Sequence, residues 1–135
     1  MRRMLLALLT VTFPAYALEA PPLQVAELGD FELESGETLL DARLAYRTAG
    51  TLDASKSNAI LFPTWFTGSS EDLFTAGAVS AVDTSKFFLI AVDAFGNGVS
   101  SSPSNSVRQK GDAFPRIGIG DMVKGQHRLV TFGAP

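Results

Sequence analysis

Ala59-Ile60-Leu61-Phe62, bounded by Asn58 and Pro63, and Phe87-Phe88-Leu89-Ile90-Ala91-Val92 are the stretches that decide the fold. Each is apolar at consecutive rather than alternate positions, the pattern of a strand buried on both faces. Between them, Glu71 to Val82 predicts a helix, although Gly77 weakens it. A buried strand, a crossover and a second buried strand are the order of a parallel α/β sheet. Working outward, Phe31-Glu32-Leu33-Glu34 alternates apolar and charged residues as a half-buried strand does. Ser35-Gly36 supplies a turn, and Thr38 to Thr48 follows with Leu40, Ala42, Leu44 and Tyr46 on one face and Asp41, Arg43, Ala45 and Arg47 on the other. The two segments predict an antiparallel hairpin. Residues 18–27 read as a Pro-bearing lead-in.

After Val92 the chain enters a loop rich in Gly, Ser, Asn and Pro that runs from Asp93 to about Gly111, longer than a minimal connection and of the kind that carries function. From Ile119, Met122, Val123, Leu129 and Val130 fall near one helical face. Gln126 interrupts that stripe, and Gly125 costs about 1 kcal/mol against Ala.

At the other end, Arg2 and Arg3, the apolar run Met4 to Val11 and the small-x-small triplet Ala15-Tyr16-Ala17 make residues 1–17 an export signal. The run is far shorter than the roughly 20 residues that span a bilayer, and Pro14 interrupts its end, so a cleaved leader fits better than an anchor. The expected product is residues 18–135, one domain at most, in the periplasm or outside the cell. Losing Arg2 and Arg3 deepens the net charge from −3 to −5, which argues against a nucleic-acid partner. With 46% hydrophobic and 19% charged residues the composition is globular. No cysteine is present, so packing replaces any disulfide framework, and His127 as the only histidine gives no zinc ligand set.

Read in order, several linked motifs carry a resemblance. They are Ser35-Gly36; Leu44-Ala45-Tyr46-Arg47-Thr48-Ala49-Gly50-Thr51-Leu52; Ser57-Asn58-Ala59-Ile60-Leu61; Thr67-Gly68; Asp83-Thr84 with Phe87-Phe88; Ser101-Ser102-Pro103; Phe114-Pro115; and Ile119 with Asp121-Met122-Val123 and Gln126. Across Leu28 to Leu129 the chain resembles the homoserine O-acetyltransferase branch of the α/β-hydrolase superfamily. The resemblance implies an α/β fold of eight mostly parallel strands, of which this sequence holds the antiparallel hairpin and the early strands. It also implies acyl transfer or hydrolysis through an acyl-serine, on a small-molecule acyl donor or ester and without a cofactor. The family's serine sits on a strand-to-helix elbow, with Asp and His later in the chain. No Gly-x-Ser-x-Gly occurs in this sequence, so nucleophile, acid and base are expected to be absent and the domain incomplete. In the family's strand order, Ala59 to Phe62 would lie between the strand of Phe87 to Val92 and the nucleophile strand, leaving it here at an edge.

The resemblance also places a loop at Pro63-Thr64-Trp65-Phe66-Thr67-Gly68 whose backbone helps hold the oxyanion, with Phe66 donating the N–H. Thr64-Trp65 stands where the family commonly has His-Ala, which points away from strict homoserine specificity. The plain alternative is an ordinary turn with Trp65 packed inside. Gly96-Asn97-Gly98 lacks the spacing and the lysine of a phosphate loop and reads as a tight turn. The family places this loop at the active-site mouth, with Asn97 and Ser100 as candidate lining. His127, Asp93 and one of Ser100 to Ser102 could be joined into a triad, but the serines lack an elbow and His127 reads as a helix-surface residue. Glu32 and Glu34 read as a charged strand face, and Asp121 as a residue that starts its helix. Two functions remain open from sequence: part of a secreted acyltransferase or hydrolase, and a non-catalytic remnant or binding module.

Overall fold

The computed structural model describes residues 19–65 and 67–133, so the signal assigned to residues 1–17 lies outside the described residues. Four strands, β1 (Gln24–Glu32), β2 (Thr38–Ala49), β3 (Ala59–Pro63) and β4 (Phe88–Val92), form one mixed sheet in the order β1-β2-β4-β3. β2 runs antiparallel to both β1 and β4, and β3 runs parallel to β4. The hairpin, the parallel crossover and the edge position of β3 all match the sequence expectations. β1 begins at Gln24, however, inside the stretch read as lead-in, because Val25 already pairs with Ala45.

β4 is buried at all five positions. Phe88, Ile90 and Val92 enter a core with Leu44, Tyr46, Phe95 and Leu129, while Leu89 and Ala91 enter a second core with Leu73, Phe74 and Val79. Phe87 stays outside the strand and is exposed. The expectation that Ala59 to Phe62 is buried on both faces is corrected. Ile60 and Phe62 pack partly on the second core, but Leu61 is 36% exposed, because β3 has β4 as its sole strand neighbour among the described residues.

Three helical details also depart from the sequence reading. The helix expected over Glu71 to Val82 divides into α1 (Ser70–Thr75) and a 3₁₀ turn, Ala78–Ala81, because Gly77 takes a left-handed φ of 73°. In the hairpin, Leu39 rather than Leu40 enters the core. Phe31 pairs with Leu39 and Gly29 with Ala42, so β2 bulges by one residue, with Asp41 at φ 49°. In α2 (Ile119–Arg128), which continues as a π-helical turn over Leu129–Gly133, the buried residues are Asp121, Gly125 and Leu129, four apart. Val123 and Val130 from the expected stripe are exposed. α2 lies close against the sheet at Gly125, where a Cβ would meet Phe95 Cε2 at 2.7 Å and Leu44 Cδ1 at 3.4 Å. None of the described helices is long and apolar enough to cross a membrane.

Candidate active site

The C-terminal ends of β3 and β4 release two loops, residues 64–69 and 93–102, that share one cleft. Thr64 prolongs the strand pairing, donating its N–H to Val92 O at 3.1 Å, and its hydroxyl accepts from Ala94 N at 3.4 Å. Gly68 N then closes a turn onto Trp65 O at 3.0 Å, with Thr67 at φ 69°. Ser69 ends the loop as the N-cap of α1: its hydroxyl accepts from Asp72 N at 3.2 Å, and its own N–H donates to Asp72 Oδ2 at 2.8 Å. The Ser69 hydroxyl, followed by the Ser69 N–H, holds the Asp72 carboxyl below the usual aspartate range.

The second loop is fastened to the first by Asp93, which is fully buried. Its Oδ1 accepts from Ser70 N and from Asn97 Nδ2, each at 2.8 Å, and Asn97 Nδ2 also reaches Gly68 O at 3.3 Å. Asn97 Oδ1 accepts from Val99 N and Ser100 N, which tightens the turn that Gly96 and Gly98 enter with positive φ. Asp93 Oδ2 and Ser70 Oγ are buried without a partner among the described residues.

The three serines are bound to main chain. Ser100 Oγ donates to Asp93 O at 2.7 Å and accepts from Ala45 N at 2.9 Å. Ser101 Oγ accepts from Arg43 N at 2.8 Å, and Ser102 Oγ joins Ser100 O to Gly98 N. Ser100 and Ser101 serve the edge of β2 that β4 is too short to cover, and Ser102 ties the loop to itself. This rules the internal triad out as an arrangement of the described residues: the hydroxyls are buried and engaged, and His127 is exposed on α2, beside β1 residues Asp30 and Phe31. Asp121 is buried, its carboxylate accepting from Gly118 N at α2's start and from Glu34 N, each at 2.8 Å.

Residues of both loops and of the segment leading into α2 line a cleft of about 820 Å³. The lining comprises Thr64, Trp65, Thr67, Ala94, Phe95, Gly96 and Asn97 from the two loops, with Pro103, Phe114, Pro115, Ile117, Ile119 and Met122. None of these side chains is ionisable. Asn97 therefore lines the cleft as expected, whereas Ser100 is buried and is not among its lining residues. Phe66, the expected oxyanion donor, lies outside the described residues, but its neighbours Trp65 and Thr67 are both at the cleft wall. Sequence reasoning treated Asp93 only as a triad member, and Trp65 as part of a departure from the family pattern or as a packed residue, not as an exposed wall of the cleft. Asp93 ends a buried strand and Trp65 stands at a position of departure from the family pattern, and those were the available signals.

No protein-family model matches the chain. It is 44% identical over 113 residues to a probable esterase of Corynebacterium glutamicum, covering 81% of this chain and 32% of that one. It is 36% identical over 123 residues to a homoserine O-acetyltransferase of Methanococcoides burtonii, covering 76% of this chain and 25% of the relative. Among solved structures, an acetylester hydrolase from Corynebacterium glutamicum superimposes with a TM-score of 0.76 at 44% identity, over 83% of this chain and 34% of that one. The chain thus spans a quarter to a third of the length of these relatives.

Proposed function

Because this chain is a homologue of the α/β-hydrolase esterases and homoserine O-acetyltransferases, matching their N-terminal part, we propose that it forms the oxyanion loop and one wall of an ester-hydrolysing site that works through an acyl-serine. The cleft lining carries this reading. Homoserine brings an α-ammonium and an α-carboxylate, and a coenzyme A thioester brings phosphates; desolvating such groups calls for charged partners. The lining offers Thr64, Thr67, Asn97 and the Trp65 indole N–H as its polar side-chain groups and no charge, which suits an uncharged ester. An export signal in residues 1–17 agrees with a secreted esterase better than with cytoplasmic amino-acid synthesis.

On this reading the serine that attacks the ester carbonyl comes from outside these 135 residues, and this chain stabilises the charge that develops on the carbonyl oxygen. The role of N–H donor to that oxygen is assigned to Phe66 by the resemblance, and Asp93, through Ser70 and Asn97, braces the described part of the same loop. A binding module that does not turn over its ligand is the second reading, favoured by the lack of a Gly-x-Ser-x-Gly elbow in the sequence. A chimaera in which this chain replaces the matching third of the Corynebacterium glutamicum acetylester hydrolase decides between them. Hydrolysis of p-nitrophenyl acetate by the folded chimaera is expected. A folded chimaera that moves acetyl from acetyl-coenzyme A to homoserine faster than to water overturns the esterase reading, and one with neither activity favours the binding module.

A further inference from the structure

We infer that Trp65 is the surface on which the cleft recognises the uncharged apolar part of its ligand, and that Gly68 is there to seat it. The inference names the ligand contact within the ester reading above, and it is tested by binding rather than turnover. Trp65 is the only tryptophan in the chain, and it is 47% exposed although the residue is among the costliest to leave in water.

The ring does not hang free. A Cβ on Gly68 would stand 2.6 Å from indole Cε2, 2.7 Å from Nε1 and 2.9 Å from Cδ2, so only a glycine lets the backbone at 68 approach the ring this closely. The φ of Gly68 is outside the left-handed region, so the indole and not the backbone conformation demands the glycine. Gly68 is itself buried and held from both sides, by its N–H on Trp65 O and by Asn97 Nδ2 on its carbonyl. Trp65 is thus gripped along one side by a braced turn and open to the cleft on the other, where Phe95, Phe114 and Met122 also line the wall.

The indole N–H makes no hydrogen bond within the described residues, so it can donate to an ester oxygen while the ring covers the adjoining alkyl or aryl group. A fixed aromatic face, neutral hydrogen-bonding groups and an uncharged surround define a site for a small neutral ester. They give a polyphosphate-bearing acyl donor no counter-charge.

Since Trp65 is the sole tryptophan, its emission reports the cleft in the 135-residue chain directly. Titration of the chain at low micromolar concentration with phenyl acetate is expected to give a saturable change in Trp65 emission. Acetyl-coenzyme A should require at least about tenfold higher concentration for the same change. Gly68→Ala must displace the ring, so it is expected to shift the emission of the free chain and raise half-saturation about tenfold while far-UV circular dichroism stays as in the parent. Saturation-transfer NMR on Trp65→Phe should retain weakened binding, and on Trp65→Ala should lose it.

Emission that changes linearly without saturating, or an equal response to acetyl-coenzyme A, overturns the inference. So does a Gly68→Ala chain that matches the parent in both emission and affinity. If phenyl acetate binds as expected but the chimaera hydrolyses nothing, the recognition surface stands and the esterase reading falls.

Discussion

Gly125 shows how one position can carry opposite meanings in sequence and in structure. By helix propensity alone, Gly125→Ala should stabilise α2 by roughly 1 kcal/mol. The added Cβ would stand 2.7 Å from Cε2 and 3.1 Å from Cζ of the buried Phe95, whose ring also packs on Phe31 with centroids 5.7 Å apart. Overpacking of this kind costs about 1–3 kcal/mol, so the propensity gain is cancelled and a net loss of up to about 2 kcal/mol is expected in urea denaturation. Phe66→Pro in the active chimaera removes the N–H assigned to the oxyanion and should lower kcat by roughly 10²-fold, whereas Phe66→Ala keeps that N–H and should keep most of the rate. Three surface carboxylates contribute to the acid response. Asp53 is held below the usual aspartate range by Ser57 N–H and hydroxyl, Asp72 by the Ser69 hydroxyl and N–H, and Asp83 by the Ser85 hydroxyl and Lys86. A depressed folded value means the contribution is present above the unfolded value near 3.9 and is lost as pH falls through the folded one. The urea midpoint should therefore drop below about pH 4, and Asp72→Asn should shallow that drop.

Among the elements, the two strands that decide the fold were legible because consecutive apolar residues leave few other arrangements, and β4 is buried at every position. The hairpin was legible in outline but not in register. Strict alternation assigned Leu40 to the core, whereas the bulge at Asp41 turns Leu39 inward and leaves Leu40 N to be satisfied by Gln109 Oε1 at 2.8 Å. A non-glycine residue at positive φ leaves no mark in a hydropathy pattern, so that slip was not readable. Asp tolerates this conformation and a β-branched residue does not: Asp41→Val should cost about 1–3 kcal/mol, seen as a lower thermal midpoint, while Asp41→Gly should not. The α2 stripe failed for a related reason, since the buried line Asp121, Gly125, Leu129 contains one apolar side chain and owes its place to close approach and a carboxylate bond. At the cleft, the loop at residues 64–68 was legible through resemblance alone. Its brace by Asp93 was not, because Asp93 and Ser70 are 23 residues apart and nothing local links them.

At the scale of the whole molecule, the strand order puts β3 third in the chain and last in the sheet. Ala59 has Phe88 as its partner, 29 residues downstream, and Pro63 has Val92. On the ribosome this sets a waiting time. At about 5–20 residues per second, the apolar stretch Ala59 to Phe62 leaves the exit tunnel roughly 1.5–6 s before the strand it needs, while β1 and β2 can already close on each other. Through that interval its N–H and C=O groups are open to any other nascent strand, including the same stretch on a neighbouring chain of a polysome. Leu61 stays 36% exposed after folding, so a charge there should guard the interval at little cost to the native core. Leu61→Lys is expected to raise the soluble share of the expressed chain, most of all at high expression rates, and an unchanged soluble share would show that the wait is covered by something other than β4.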